Sequence, residues 1–212
     1  MQFLSKAPAP SLELLAKPFT SDLDEFTGAF FGILHGSGGT QHVVDVLTPL
    51  LHHELSKPSD PLLAMRSNNI TTKLLELFLK EVGQNYLKTT LKDVISEICS
   101  KREVLELDPN KAESQAVLAF SAEKLTNHLY SVWKAIRDSV EYCPREIKDV
   151  LRSLLETVKD ESLAHRLVGS LFFLRFVGVA IISPLAFDIV QGERKQKRMK
   201  GIIVVAFIIP VQ

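Results

Sequence analysis

Leu167-Val168-Gly169-Ser170-Leu171-Phe172-Phe173-Leu174-Arg175-Phe176-Val177-Gly178-Val179-Ala180-Ile181-Ile182 is the stretch whose reading decides the fold class. Apart from Ser170 and Arg175 it contains only apolar residues and glycine. A helix built from it has no polar face to give to water, so it belongs at the centre of a helical body. Ser183-Pro184 ends it, because proline removes a backbone donor and holds the preceding residue extended. A buried central helix is therefore predicted near residues 163–183. On either side, aliphatic residues recur at helical spacing, and Val/Ile/Thr alternation is nearly absent until the last dozen positions. Strands have little sequence to occupy, and the chain reads as all-α, an irregular multi-helix bundle.

Working toward the N-terminus, Cys143-Pro144 opens a helix to about Val158, and a longer one should span roughly Ala116 to Val140. Leu107-Asp108-Pro109-Asn110 reads as a turn. Tyr86, Leu87, Leu91, Val94, Ile95 and Ile98 form one apolar stripe. Ile70, Leu74, Leu75, Phe78 and Val82 form another, with Ser67, Asn68 and Asn69 as N-cap candidates and Gly83 as the expected stop. Val43, Val44, Leu47, Leu50 and Leu51 mark a helix that ends at Lys57-Pro58-Ser59-Asp60-Pro61, followed by an exposed loop to Arg66. The first helix should open at the capping box Ser21-Asp22-Leu23-Asp24 and stop at Gly36-Ser37-Gly38-Gly39.

The chain has 212 residues, 46% hydrophobic and 24% charged, which fits one sizeable globular core rather than disorder. Twenty-five basic residues balance twenty-five acidic ones, so no nucleic-acid partner is expected. Cys99 and Cys143 allow no disulfide framework, and Met1 to Pro18 carries no charged-then-apolar leader, so a cytoplasmic location is expected. Several catalytic signatures start and then break. His52-His53-Glu54 resembles the opening of a zinc-binding helix, but Lys57 stands where the second ligand should be, and a surface helix end is the expectation. Gly36-Ser37-Gly38-Gly39-Thr40 follows a helix and lacks the Gly-Lys-Ser/Thr ending of a phosphate loop. No metal site, cofactor or Ser/His/Asp set is expected, which argues against a self-contained enzyme.

Two arginines remain. Arg175 is an ionised group in an apolar helix and needs partners, whether a buried salt bridge or a carbonyl clamp on a neighbouring loop. Arg66 sits just before a helix N-terminus, where its charge and the free backbone donors could together face an anion. At these residues the sequence resembles a known family. Arg66-Ser67-Asn68-Asn69-Ile70-Thr71-Thr72-Lys73, followed by Val82-Gly83-Gln84-Asn85-Tyr86-Leu87, resembles the finger loop and next helix of Ras GTPase-activating proteins. Phe173-Leu174-Arg175-Phe176-Val177-Gly178-Val179-Ala180-Ile181-Ile182-Ser183-Pro184 is similar to that family's Phe-Leu-Arg-Phe-x-x-Pro-Ala-Ile-x-x-Pro signature. Glu106-Leu107-Asp108-Pro109 resembles its acidic-Pro turn.

The resemblance covers residues 21–190 and implies the RasGAP type of helical domain, with residues 1–20 before it and a tail at 191–212. It implies that Arg66 is an arginine finger inserted in trans into a Ras-family GTPase, and that Arg175 braces the finger loop. It places Leu174 against the GTPase switch region, with Asn68 and Lys73 holding the loop and its helix in register. GTP and magnesium would belong to the partner. Ala64-Met65 departs from the usual Leu-Phe before the finger, and Gly178-Val179 from the signature after Arg175. Past Val190 the family's further helices give way to Arg194-Lys195-Gln196-Lys197-Arg198-Met199-Lys200 and the apolar run Ile202 to Ile209, as if the domain were cut short. The alternative function is a catalytically impaired interaction module or scaffold. The basic residues Arg194, Lys195, Lys197, Arg198 and Lys200 are candidates for peripheral contact with anionic lipid at the inner face of the plasma membrane. The apolar run is too short to cross a bilayer, which takes about 20 helical residues.

Overall fold

The structure, a computed structural model, describes residues 22–57, 60–101 and 105–190. Ser21, the basic run 194–200 and the apolar run 202–209 lie outside the described residues, so the lipid contact expected there has no structural counterpart. Every regular element among the described residues is helical, as the periodicity predicts. They fall into two compact units, one within 1–83 and 144–176, the other within 84–143 and 177–212.

The first unit holds the candidate site. Helix α1 (Leu23–Ser56) breaks at Gly39, whose φ of 67° and ψ of −164° suit only glycine. The glycine stop is thus a one-residue kink, after which the helix resumes. Its N-cap is Asp22, which makes no side-chain cap bond, and Asp24 and Glu25 supply the first-turn acidity; Ser21, which opens the expected capping box, lies outside the described residues. Helix α2 (Pro61–Ala64) replaces the expected loop before Arg66. Asp60 accepts a hydrogen bond from the Leu62 N–H at 2.8 Å, and Pro61 takes the first position, where a missing N–H costs nothing.

Helix α3 (Ile70–Ser100) runs straight through Gly83, correcting the expected stop. A Cβ on Gly83 would collide with the Phe176 ring and lie 3.2 Å from Ile147 Cδ1. The glycine is there for close packing, and the division between the two units falls just after it.

Helix α5 (Arg145–Thr157) buries Ile147, Val150 and Leu154 and packs on α1. His52 Nε2 and Ser153 Oγ share a 2.7 Å hydrogen bond between these two helices, while buried Glu54 pairs with Lys57 at 2.7 Å. His52-His53-Glu54 is therefore part of a packed contact, not the surface helix end expected. No group of three metal-binding side chains occurs among the described residues.

The segment predicted as one buried helix is three pieces: α6 (Glu161–Ser170), a π-helical stretch (Leu171–Val177) and α7 (Gly178–Ile182). The wider i→i+5 turn re-aims the side chains around it. Leu167, Leu171, Phe176, Val177, Ala180 and Ile181 are buried, but Leu174, Val179 and Ile182 are exposed. Length and composition alone would let residues 161–182 cross a membrane; Arg175 within the segment is paired with Glu76, and less than half of the segment is buried.

In the second unit, α4 (Gln115–Asp138) is capped by Ser114, which accepts from the Val117 N–H at 3.3 Å. Tyr86 OH and Ser139 Oγ are 3.0 Å apart, and burial pushes the phenol above its ordinary range. The acidic-Pro turn is self-organised: Glu106 Oε1 accepts from the Leu107 and Asp108 N–H groups, each at 2.9 Å. Asp108 accepts from the Asn110 N–H, which holds its carboxyl below the usual range.

Candidate functional site

The site is built on the bend between α2 and α3. Ala64 and Met65 are 6% and 2% exposed, so the two residues that depart from the family pattern still anchor the bend in the core. Helix α2 also leans on α6. The Arg66 N–H donates to Leu63 O at 3.0 Å and the Ser67 N–H to Ala64 O at 3.2 Å, which turns the chain outward at Arg66. Arg66 is exposed, and its guanidinium makes no ion pair or hydrogen bond among the described residues. It stands four residues before the N-terminus of a 31-residue helix, whose partial positive charge adds to its own. The combination suits an anion brought from outside.

Beyond Arg66 the backbone is held by a closed set of bonds. Ser67 Oγ donates to Ala64 O at 2.6 Å and accepts from Asn69 Nδ2 at 2.8 Å. Asn69 Oδ1 accepts from the Thr72 N–H at 2.9 Å, so Asn69 is the N-cap among the three candidates. Thr72 Oγ1 donates to Ser67 O at 2.7 Å and accepts from the Asn69 N–H at 3.2 Å. The neighbouring Thr71 hydroxyl is buried without a partner among the described residues.

Among the residues singled out from sequence, Lys73 pairs with Asp24 on α1 at 2.6 Å, tying the start of α3 to the start of α1. Asn68 is exposed and makes no hydrogen bond among the described residues; the loop-holding role falls to Asn69 instead. Leu174 is 43% exposed, an apolar side chain available on the surface. Arg175 Nη1 pairs with Glu76 of α3, the arginine side chain being 18% exposed and the glutamate 42%. Its partner is the helix after the loop rather than the loop backbone.

Within the first unit the structure therefore brings Arg66 to Gly83 together with the opening of the second motif, Phe173 to Phe176, joined by the Arg175–Glu76 pair and by Phe176 against Gly83. Sequence reasoning had Asn69 only as one of three cap candidates and missed Glu76 and Thr72 as groups that do the holding. The spacing Asn69-x-x-Thr72, an N-cap residue with a polar partner three positions on, was the available signal.

Residues 46–119 and 112–206 match the family model RasGAP, described as a GTPase-activator protein for Ras-like GTPase. Among curated relatives, the chain is 31% identical over 167 residues to the Ras GTPase-activating protein gap-2 of Caenorhabditis elegans, covering 76% of this chain and 14% of the relative. It is 31% identical over 152 residues to Ras GTPase-activating protein 3 of Rattus norvegicus, covering 69% and 18%. It is 29% identical over 192 residues to Ras GTPase-activating protein 4 of Homo sapiens, covering 81% and 24%. The matched part spans a quarter or less of each of these relatives.

Proposed function

The chain belongs to the RasGAP family, and on that premise we propose that it accelerates GTP hydrolysis by a Ras-like small GTPase, with Arg66 supplied in trans. The supporting observation is the state of Arg66: an exposed guanidinium without a partner among the described residues, on a bend whose flanking residues are buried or hydrogen-bonded. Phosphoryl transfer spreads negative charge over the transferring group and the leaving oxygen. A cation placed there stabilises the transition state more than the ground state. Arginines acting in this way, the one that activators supply to Ras among them, contribute about 10³ to 10⁵ in turnover.

The other residues serve that placement. Arg175 is the loop stabiliser, acting on α3 through Glu76, while Lys73 fixes the same helix to α1. Leu174 offers an apolar contact to the GTPase, and Asn68, exposed beside the finger, faces the same partner. GTP and magnesium come with the GTPase.

Single-turnover hydrolysis of GTP on a panel of Ras-like GTPases, with and without this chain, tests the proposal. Acceleration on at least one member is expected. No acceleration on any, with a direct binding signal retained, would leave the interaction module as the function of this chain.

A further inference from the structure

The geometry points to Thr72 as a positioning residue for Arg66: its buried hydroxyl carries the Arg175–Glu76 ion pair's hold on α3 across to the backbone of the finger loop. The inference rests on the proposed role of Arg66. Arg175 reaches only α3, at Glu76, and makes no bond to the loop among the described residues. Glu76 and Thr72 are four residues apart, one helical turn on the same face. Thr72 is 1% exposed, and its Oγ1 donates to the carbonyl of Ser67, the residue directly after Arg66, at 2.7 Å.

A hydroxyl in a first helical turn ordinarily serves its own cap. This one also reaches back past the cap residue to the loop, and so fixes the peptide that follows Ser67. Arginine has a long, rotatable side chain, and only its root can be held by the protein before the partner arrives. Thr72 thus sets where that root sits, and a misplacement of about 1 Å in a catalytic group can cost about 100-fold in rate.

Thr72→Val keeps the shape and removes the hydroxyl. With this chain and a responsive Ras-like GTPase, it is expected to lower the saturating single-turnover rate about 10- to 100-fold. The half-saturating chain concentration should stay within about two-fold, because the exposed contact residues are untouched. Thr72→Ser should restore most of the rate. In the isolated chain, Thr72→Val should speed amide exchange at Ser67 to Asn69 while exchange in α5 stays unchanged.

Glu76→Gln, at a half-exposed position, gives a second route that does not disturb the core. It should lower the same saturating rate, and the double variant should be little worse than Thr72→Val alone, as for two groups in one line of contact. A wild-type chain that accelerates while Thr72→Val matches it in rate and exchange would overturn the inference alone. Strictly multiplicative losses in the double variant would also overturn it. A wild-type chain inactive on the whole panel would overturn the proposed function, and this inference with it.

Discussion

Thr71 and Thr72 stand side by side at the start of α3, both buried, and only Thr72 has its hydroxyl bonded. The same substitution should therefore act in opposite directions. Thr71→Val removes an unsatisfied buried hydroxyl, whose burial costs about 1–3 kcal/mol, and should raise the melting temperature. Thr72→Val strands the Ser67 carbonyl and should lower it; equal shifts in a thermal melt would refute the bonding pattern. Leu174 is a separate case, because an exposed leucine adds little to the fold. Burying its remaining exposed part, under half of the side chain, against a partner would contribute about 1 kcal/mol. Leu174→Ser should lower thermal stability only slightly and raise the half-saturating chain concentration several-fold, read by titration in the hydrolysis assay. Among these residues Arg66 was legible in sequence, since an arginine just before a helix start needs no tertiary partner to explain it. The division of labour between Asn68 and Asn69 was not, because three good capping residues in a row differ only in the backbone geometry that selects one.

Element boundaries set by local chemistry were readable at Gly39 and Lys57, though not at the short helix that Asp60 and Pro61 open, and the one set by distant packing was not. Gly39 breaks α1 through its own φ angle, and Lys57 ends it ahead of Pro58, both properties of nearby sequence. Gly83 looks the same on paper yet lies inside α3, because its lack of a Cβ admits the ring of a residue over ninety positions away. That difference can be measured. Helix propensity favours Gly83→Ala by about 1 kcal/mol, but overpacking against a buried aromatic ring costs about 1–3 kcal/mol. The variant should melt several degrees lower. Gly28→Ala, in α1 with open space around its Cβ position, should melt slightly higher. A Gly83→Ala protein as stable as the wild type would show that Phe176 does not press on α3. The π stretch had no sequence signal, since an apolar run with one arginine is equally consistent with a regular helix.

At the scale of the whole molecule, the all-helical class was legible from periodicity, and the link between the finger-loop helix and the segment that carries Arg175 from the family likeness. The charge distribution is a whole-chain property too. Five of the twenty-five basic residues fall within residues 194–200, leaving the rest with five more acids than bases. If that run attracts anionic lipid, as proposed from its charge, vesicles containing phosphatidylserine should pellet the chain at low salt. Neutralising Arg194, Lys195, Lys197, Arg198 and Lys200 should abolish pelleting, and unchanged pelleting would exclude the run as the anchor. Such contact would concentrate the chain at a membrane without altering the chemistry at Arg66.

That chemistry is tested most directly by the saturating single-turnover rate of GTP hydrolysis on a responsive Ras-like GTPase, compared between the wild-type chain and Arg66→Ala. Arg66 is exposed and unpaired among the described residues, so the variant should fold and bind as the wild type does. Its rate should fall about 10³-fold or more, toward that of the GTPase alone. An Arg66→Ala chain that accelerates hydrolysis as well as the wild type would contradict the account.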